Sequence, residues 1–303
     1  MSGAATVASN VGGAVLVLAV LWDMFRELYH PAGTGSLTRT LRDRLWRLFR
    51  RAARRRRKVL QLAGPTMVIA IIATWGVLLT LGWALIFWPY LPDAFRFASG
   101  LEPVARSGFG TAMYFSALSL TTLGVGDVTP TWTSLRLLCN VEAAIGFALL
   151  TAGISWILSI YPVLARRRTL ARRVFLLHSA GAKVDRALTE LDPVVAAPVV
   201  GELAVALAQV RVDLVQSGIT YYFGDGERAG ALAAALPLLA RLADDGLAPG
   251  RADAVRHAAA GLHVAVRDFA ETVRTTYLRM PERPLGDVLA RYAEDHRCEP
   301  PAP

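Results

Sequence analysis

Two long apolar stretches, residues 63–88 and 137–164, bracket a short apolar run at 111–120 and the Gly-rich heptapeptide Thr121-Thr122-Leu123-Gly124-Val125-Gly126-Asp127. A bilayer core takes about 20 apolar residues per helix, so each long stretch suffices for one crossing and the run 111–120 for half of one. Non-helical backbone survives at membrane depth only where protein buries it or a water-filled cavity solvates it. The order therefore predicts a span, a half-helix that Gly108 and Gly110 introduce, a non-helical strand and a second span. Gly124 and Gly126 can adopt φ > 0, which would let the carbonyls of Thr122, Leu123, Gly124 and Val125 line one axis, with the Thr122 hydroxyl adding an inner ring. A plain Gly-rich turn between two helices is the alternative.

Successive carbonyls on one axis can replace the hydration shell of a dehydrated cation. On these residues the chain resembles the pore-loop potassium channel superfamily in its minimal form of outer helix, pore helix, filter and inner helix, over residues 63–168. The family's filter is usually Thr-Val-Gly-Tyr-Gly-Asp, matched here by Thr122, Leu123, Gly124, Val125, Gly126 and Asp127. Val125 stands where the family has an aromatic residue that packs outward and holds the filter open. The resemblance implies a homotetramer, because one chain supplies one filter strand and the cage needs four. It implies passive potassium conduction, with K+ held at Thr122, Leu123, Gly124 and Val125 and no other cofactor. Non-selective cation conduction is the first alternative, and a non-conducting, membrane-anchored helical sensor or interaction protein the second.

Residues 4–22 form a third apolar segment, interrupted by Ser9 and Asn10 and ending at Asp23. It reads as a short span, a re-entrant piece or a targeting segment; a signal peptide fits poorly, because its positive charges follow the apolar run. The net charge of +9 is unevenly placed: residues 1–173 hold 20 Lys and Arg against 7 Asp and Glu, whereas 174–303 hold 13 against 17. That distribution argues against nucleic acid as partner. Eleven of the cations lie between Arg39 and Lys58, opposed only by Asp43, and others in Arg166-Arg167-Arg168 and Arg172-Arg173. Both groups flank apolar segments, which by the positive-inside rule makes them cytoplasmic and puts 89–110, where Arg96 and Arg106 offset Asp93 and Glu102, outside. The expected product is a multi-pass cell-membrane protein with a cytoplasmic C-terminal region. Residues 39–58 also place Leu41, Leu45, Leu48, Phe49 and Ala52 on one helical face with Trp46 at its edge, as a helix lying on anionic lipid would. A purely topogenic charge run is the alternative.

On the second long span, Ala143, Phe147, Leu150 and Ile154 fall on one stripe. Alignment with the family's inner helix puts that stripe on the pore axis as a gate, and Gly146 at the family's hinge; close helix packing is the other reading of Gly146. Glu142 is a carboxylate inside an apolar stretch and hence a candidate functional group. It sits about 100° from the stripe, so it faces the pore helix or a neighbouring subunit and supports the filter from behind, through Ser119 or Thr121. Thr121 and Asp127 complete the filter's support, with Asp127 at the outer mouth attracting cations.

Pro162 and the following arginines are read as the end of the membrane part. The remainder is expected to be helical over 170–191, 194–216, 227–243, 252–278 and 285–295, with Val255, Ala258, Leu262, Val266, Phe269 and Val273 as one apolar stripe. Residues 219–223 (ITYYF) read as a short strand or an aromatic plug. Neither a Gly-x-Gly-x-x-Gly after a strand nor a Walker motif is present, so the regulatory ligand is not legible. His178, His257, His263 and His296 lack metal-ligand spacing, Cys139 and Cys298 are not expected to pair, and 299–303 read as disordered. No nucleophile triad or carboxylate pair stands out, and the chain is read as a non-enzyme. The fold class expected is an all-α membrane protein: a tetrameric pore-loop channel with an extra N-terminal transmembrane helix and a helical cytoplasmic C-terminal domain. Its segments are 1–30, a basic amphipathic linker at 31–62, the pore domain at 63–168 and the tail at 169–303.

Overall fold

The computed structural model describes residues 2–29, 35–53, 57–98, 108–225 and 227–296. Arg54–Arg56, Glu102, Arg106, Cys298 and 299–303 lie outside the described residues, as do the side chains of Arg57 and Lys58. The helices are α1 (Gly3–Leu28), α2 (Ser36–Ala52), α3 (Ala63–Phe87), α4 (Phe109–Leu120), α5 (Thr133–Val184), α6 (Pro193–Gln216), α7 (Leu232–Leu247), α8 (Asp253–Val273) and α9 (Leu285–Asp295). Two short strands, β1 (Phe95–Phe97) and β2 (Val128–Pro130), pair antiparallel with Phe95 opposite Pro130 and Phe97 opposite Val128. The protein is an all-α membrane protein, and α1, the helical stretch Val59–Tyr90, α5 and α6 are each long and apolar enough to cross a bilayer. The chain divides into two compact units, one of Met1–Asp43 with Met67–Leu158, the other of Arg44–Thr66 with Ser159–Pro303.

In the first unit α1 is a helix of 26 residues, long and apolar enough to cross a bilayer, and it meets α3 through side-chain and close glycine contacts. The polar residues that interrupt its apolarity are its anchors: Ser9 Oγ donates to the Leu85 carbonyl at 2.6 Å and Asn10 Nδ2 to the Tyr90 hydroxyl at 2.7 Å. Gly13 and Gly82 face each other so closely that a Cβ on Gly13 would press on the Gly82 carbonyl oxygen, the small-residue contact that lets apolar helices approach in lipid. Asp23 is buried and accepts from Leu37 N (3.0 Å), Thr38 N (3.3 Å), Thr38 Oγ1 (2.7 Å) and Trp75 Nε1 (3.1 Å). One carboxylate thus satisfies amides in the first turn of α2 and fixes α3. One turn further along both helices, Glu27 pairs with Arg42 at 3.5 Å. Trp75 in turn lies 5.9 Å from Trp156 of α5, centroid to centroid.

In the second unit α6 packs most closely on α8, and α7 and α9 complete the bundle. Its core is Ala196, Val200, Leu203, Leu207 and Val210 of α6 with Val255, Ala259, Leu262, Val266 and Phe269 of α8. The stripe on α8 uses Ala259 rather than Ala258, because a Cβ-scale contact with Gly246 of α7 sets the helix rotation. α6 is more apolar than this packing requires, since only 28% of its most apolar window is buried and Val194, Val195 and Val205 are exposed.

Two expectations need correction, and one open alternative is decided. The segment expected as a separate tail helix from 170 is part of α5, which continues through Pro162 to Val184. Proline removes one i to i−4 bond, and here buried Ile160, Val163, Leu164, Leu170 and Ala171 hold the helix on both sides of the gap. Residues 219–223 are not a strand but a tight turn, Gly218–Tyr222, whose Tyr221 stacks on Tyr277 at 4.2 Å and 7°, which makes the segment an aromatic plug. Trp46, placed at the edge of a lipid-facing surface, is buried against Tyr221 and Tyr222 and donates from Nε1 to Asp295 at 3.2 Å.

Candidate functional site: the pore loop

α4 is short because its last turn is closed by its own chain. The Thr121 amide and hydroxyl both go to the Ala117 carbonyl, the hydroxyl at 2.7 Å, and Leu123 N reaches the Leu118 carbonyl at 3.0 Å. The backbone then takes φ of +57° at Thr122, +53° at Gly124 and +81° at Gly126, while Leu123 and Val125 stay at ordinary negative φ. Alternation between left- and right-handed conformations turns successive peptide units the same way, so that amides gather on one side and carbonyls on the other. Glycine at 124 and 126 makes this cheap. Thr122 reaches the same region with a side chain, at a strain of about 1–2 kcal/mol.

Both ends of this strand are held. At the outer end the β1–β2 ribbon anchors it, Ala98 N donates to the Asp127 carbonyl at 2.8 Å, and Tyr114 Oη donates to Asp127 Oδ2 at 2.9 Å. At the inner end Gly146 of α5 lies so close to the Leu120 carbonyl oxygen that no Cβ fits between them. Gly146 thus packs closely on the residues at the base of the loop, as the packing reading expects.

Behind the filter, α4 and α5 meet through matched polar side chains. Ser116 Oγ donates to Glu142 Oε1 at 2.5 Å and lies 3.0 Å from the Thr80 carbonyl of α3, and the Cys139 thiol is hydrogen-bonded with Ser119. Glu142 is fully buried and faces the pore helix. Its partner is Ser116 rather than Ser119 or Thr121, because Glu142 lies opposite the middle of α4 and Cys139 takes Ser119. Glu142 Oε2 has no hydrogen-bond partner among the described residues.

The remaining sequence-derived residues divide by exposure. Thr121, Thr122, Leu123, Gly124, Val125 and Gly126 are exposed, with Leu123 at 68% and Val125 at 59%. Phe147, Leu150 and Ile154 form an exposed apolar stripe on α5, opposite the buried Gly146, Leu149, Gly153 and Trp156, and Ala143 at its head is half-buried. Sequence reasoning missed Tyr114, Ser116 and Asp23. The signal for the first two was present, since each is a polar side chain in a mostly apolar half-helix. For Asp23 it lay in the Asp23/Glu27 pair of carboxylates matching Thr38/Arg42 at the same i, i+4 spacing.

The half-helix, the loop of alternating φ and the two long apolar helices around them are similar in arrangement to a pore-loop ion channel. Residues 74–161, from within α3 through the filter to α5, match a family model described as "Ion channel". Over that segment the resemblance read from the filter residues holds, and it points to transport rather than catalysis. The chain is also similar to an uncharacterized membrane protein, YdjJ, of Bacillus subtilis (strain 168), at 28% identity over 175 residues, or 57% of this chain. That alignment spans 50% of the relative's own length. No solved structure matches the chain.

Proposed function

We propose that the chain is a potassium-selective channel, conducting K+ passively through the shared pore of a homotetramer in the cell membrane. The observation that carries this reading is the alternating positive φ at Thr122, Gly124 and Gly126 in a strand braced at both ends. Four such strands around one axis would supply rings of oxygens from Thr122, Leu123, Gly124 and Val125, with Gly126 closing the strand, in place of the ion's hydration shell. Exposed Leu123 and Val125 and the apolar stripe of Phe147, Leu150 and Ile154 are surfaces that neighbouring copies and a closing gate would cover. Thr121 caps the pore helix, Asp127 concentrates cations at the outer mouth, and Glu142 braces the filter from behind. The basic clusters between Arg39 and Arg173 support a cytoplasmic side for both flanking segments and for the tail, by the positive-inside rule.

The test is single-channel recording of the purified protein in a planar bilayer under a potassium/sodium gradient. Reversal at the potassium equilibrium value supports the proposal. A reversal near zero with clear openings sinks selectivity, and the exposed Val125 in place of a packed aromatic makes that the second reading. Gly124→Ala supplies the control: among the described residues of its own chain no atom lies within 4 Å of the new methyl, so within the chain its effect comes from φ of +53°. It should abolish current while leaving assembly intact, whereas a non-conducting anchor would tolerate it.

A further inference from the structure

A cavity of about 830 Å³ in the second unit is walled on one side by Arg168, Arg172 and Arg173 of α5 and on the other by the loop of Gly224 and Asp225 with Glu227 and Gly230. We propose that it binds a phosphate-bearing anion, from a lipid headgroup or a free polyphosphate.

The neighbouring arginine shows how a structural guanidinium looks here. Arg167 is buried and sends Nη1 to the Thr220 carbonyl at 2.8 Å, and Nη2 to the Phe223 carbonyl at 2.7 Å and Asp225 Oδ1 at 2.8 Å. It builds the rim of the cavity and neutralises Asp225. Arg168 reaches the same Oδ1 at 3.3 Å from a side chain that is 51% exposed. Arg172 meets Glu227 at 3.6 Å, the carboxylate being 83% exposed, and Arg173 meets Glu202. The pairs of Arg172 and Arg173 are exposed on both partners and contribute little, because water serves each partner nearly as well. Three guanidiniums at i, i+4 and i+5 on one helix therefore line the cavity against two carboxylates of its wall, Asp225, whose charge Arg167 and Arg168 share, and Glu227, which is loosely held.

Phosphate suits this wall, since guanidinium donors match its oxygens in bidentate pairs. Gly224 and Gly230 bring backbone rather than side chain to the opposite wall, and Leu176 gives the cavity an apolar patch for the part of the ligand behind the phosphate.

The experiment measures binding by the full-length protein in phosphatidylcholine nanodiscs, so it stands whether or not the pore conducts. One arm titrates inorganic pyrophosphate; the other compares discs with and without phosphatidic acid by native mass spectrometry. Saturable binding of pyrophosphate indicates a soluble ligand, and retention of phosphatidic acid alone indicates a lipid. Either supports the site if Arg172→Gln/Arg173→Gln weakens binding at least about tenfold while Arg256→Gln on α8 leaves it unchanged. Glu227→Gln removes the competing carboxylate and should tighten binding, a gain that misfolding cannot mimic. Absence of saturable binding in both arms, equal affinity in the double variant, or weaker binding by Glu227→Gln would overturn the proposal.

Discussion

The Ser116 hydroxyl lies 2.5 Å from Glu142 Oε1 and 3.0 Å from the Thr80 carbonyl, so one small side chain on the pore helix joins the inner helix to the outer one. Each element of the pore segment thereby touches a neighbour through a hydrogen bond whose alternative is an unsatisfied group away from water. Ser116→Ala removes the single donor seen at Glu142 and should destabilise the protein by about 1–3 kcal/mol. Glu142→Gln keeps an acceptor for Ser116 and should cost less. Thermal unfolding of the purified variants in one detergent gives the ranking, and equal midpoints for Ser116→Ala and the parent would show that the bond contributes nothing.

Tyr114→Phe deletes the hydroxyl that holds Asp127 and changes nothing else in volume. A hydrogen bond to a carboxylate is worth about 1.5–3 kcal/mol, enough to change the population of an ordered outer filter more than tenfold. If the proposed conduction holds, single-channel records should show shortened openings, and thermal unfolding a lowered midpoint. Openings as long as the parent's would mean that the β1–β2 ribbon alone anchors that end.

Gly146→Ala forces a methyl against the Leu120 carbonyl oxygen, and that backbone cannot retreat without moving the base of the filter. Overpacking of this kind costs about 1–3 kcal/mol. Gly261→Ala in α8, with no atom within 4 Å of the added methyl, is the matched control and should stabilise by about 0.4–1 kcal/mol. A Gly146→Ala variant as stable as the parent would return Gly146 to the hinge reading.

Asp23→Ala orphans four donors at once, among them the buried Trp75 indole and Thr38. The expected loss is at least about 3 kcal/mol, read as a fall in unfolding midpoint, with Asp23→Asn intermediate because one amide oxygen can still accept. An Asp23→Ala protein that melts with the parent would remove Asp23 from the framework of the first unit.

What the sequence showed and what it hid follow one line. Segment length and glycine spacing are local, so the two bracketing spans, the half-helix and the positive φ of Gly124 and Gly126 were legible, and the bundle's helices came out within a few residues. Partners are not local. Glu142 was correctly turned toward the pore helix, but choosing Ser116 over Ser119 needs the offset between two helices, which no periodicity records. Trp46 looked like the margin of an amphipathic face because nothing nearby in sequence reveals that Tyr221, Tyr222 and Asp295 will bury it. Pro162 misled for a related reason: its local cost is fixed, whereas the packing on both sides that overrides it is tertiary.

The tail should lose stability on acidification through His296. Its ring lies among Trp46, Tyr221 and Tyr292, with Nε2 at 2.8 Å from the Tyr221 carbonyl and Nδ1 at 3.1 Å from the Tyr292 carbonyl, while part of the residue stays accessible. Burial is the largest influence and lowers its pKa below the ordinary value, assisted by Arg167; Asp295 and the two carbonyls work in the opposite direction without overcoming it. The native state therefore binds fewer protons than the unfolded chain between the lowered pKa and the usual histidine value of about 6.5. Stability is complete above about 6.5 and falls as pH drops through it, by about 1.4 kcal/mol for each unit crossed before the lowered pKa is reached. Unfolding of the purified protein at pH 7.5 and pH 5.5, followed by tyrosine and tryptophan fluorescence, should show a lower midpoint in acid, and His296→Gln should flatten that slope. If the variant keeps the parent's pH dependence, protons enter elsewhere, and the aromatic cluster around His296 is a packing element without a titrating centre.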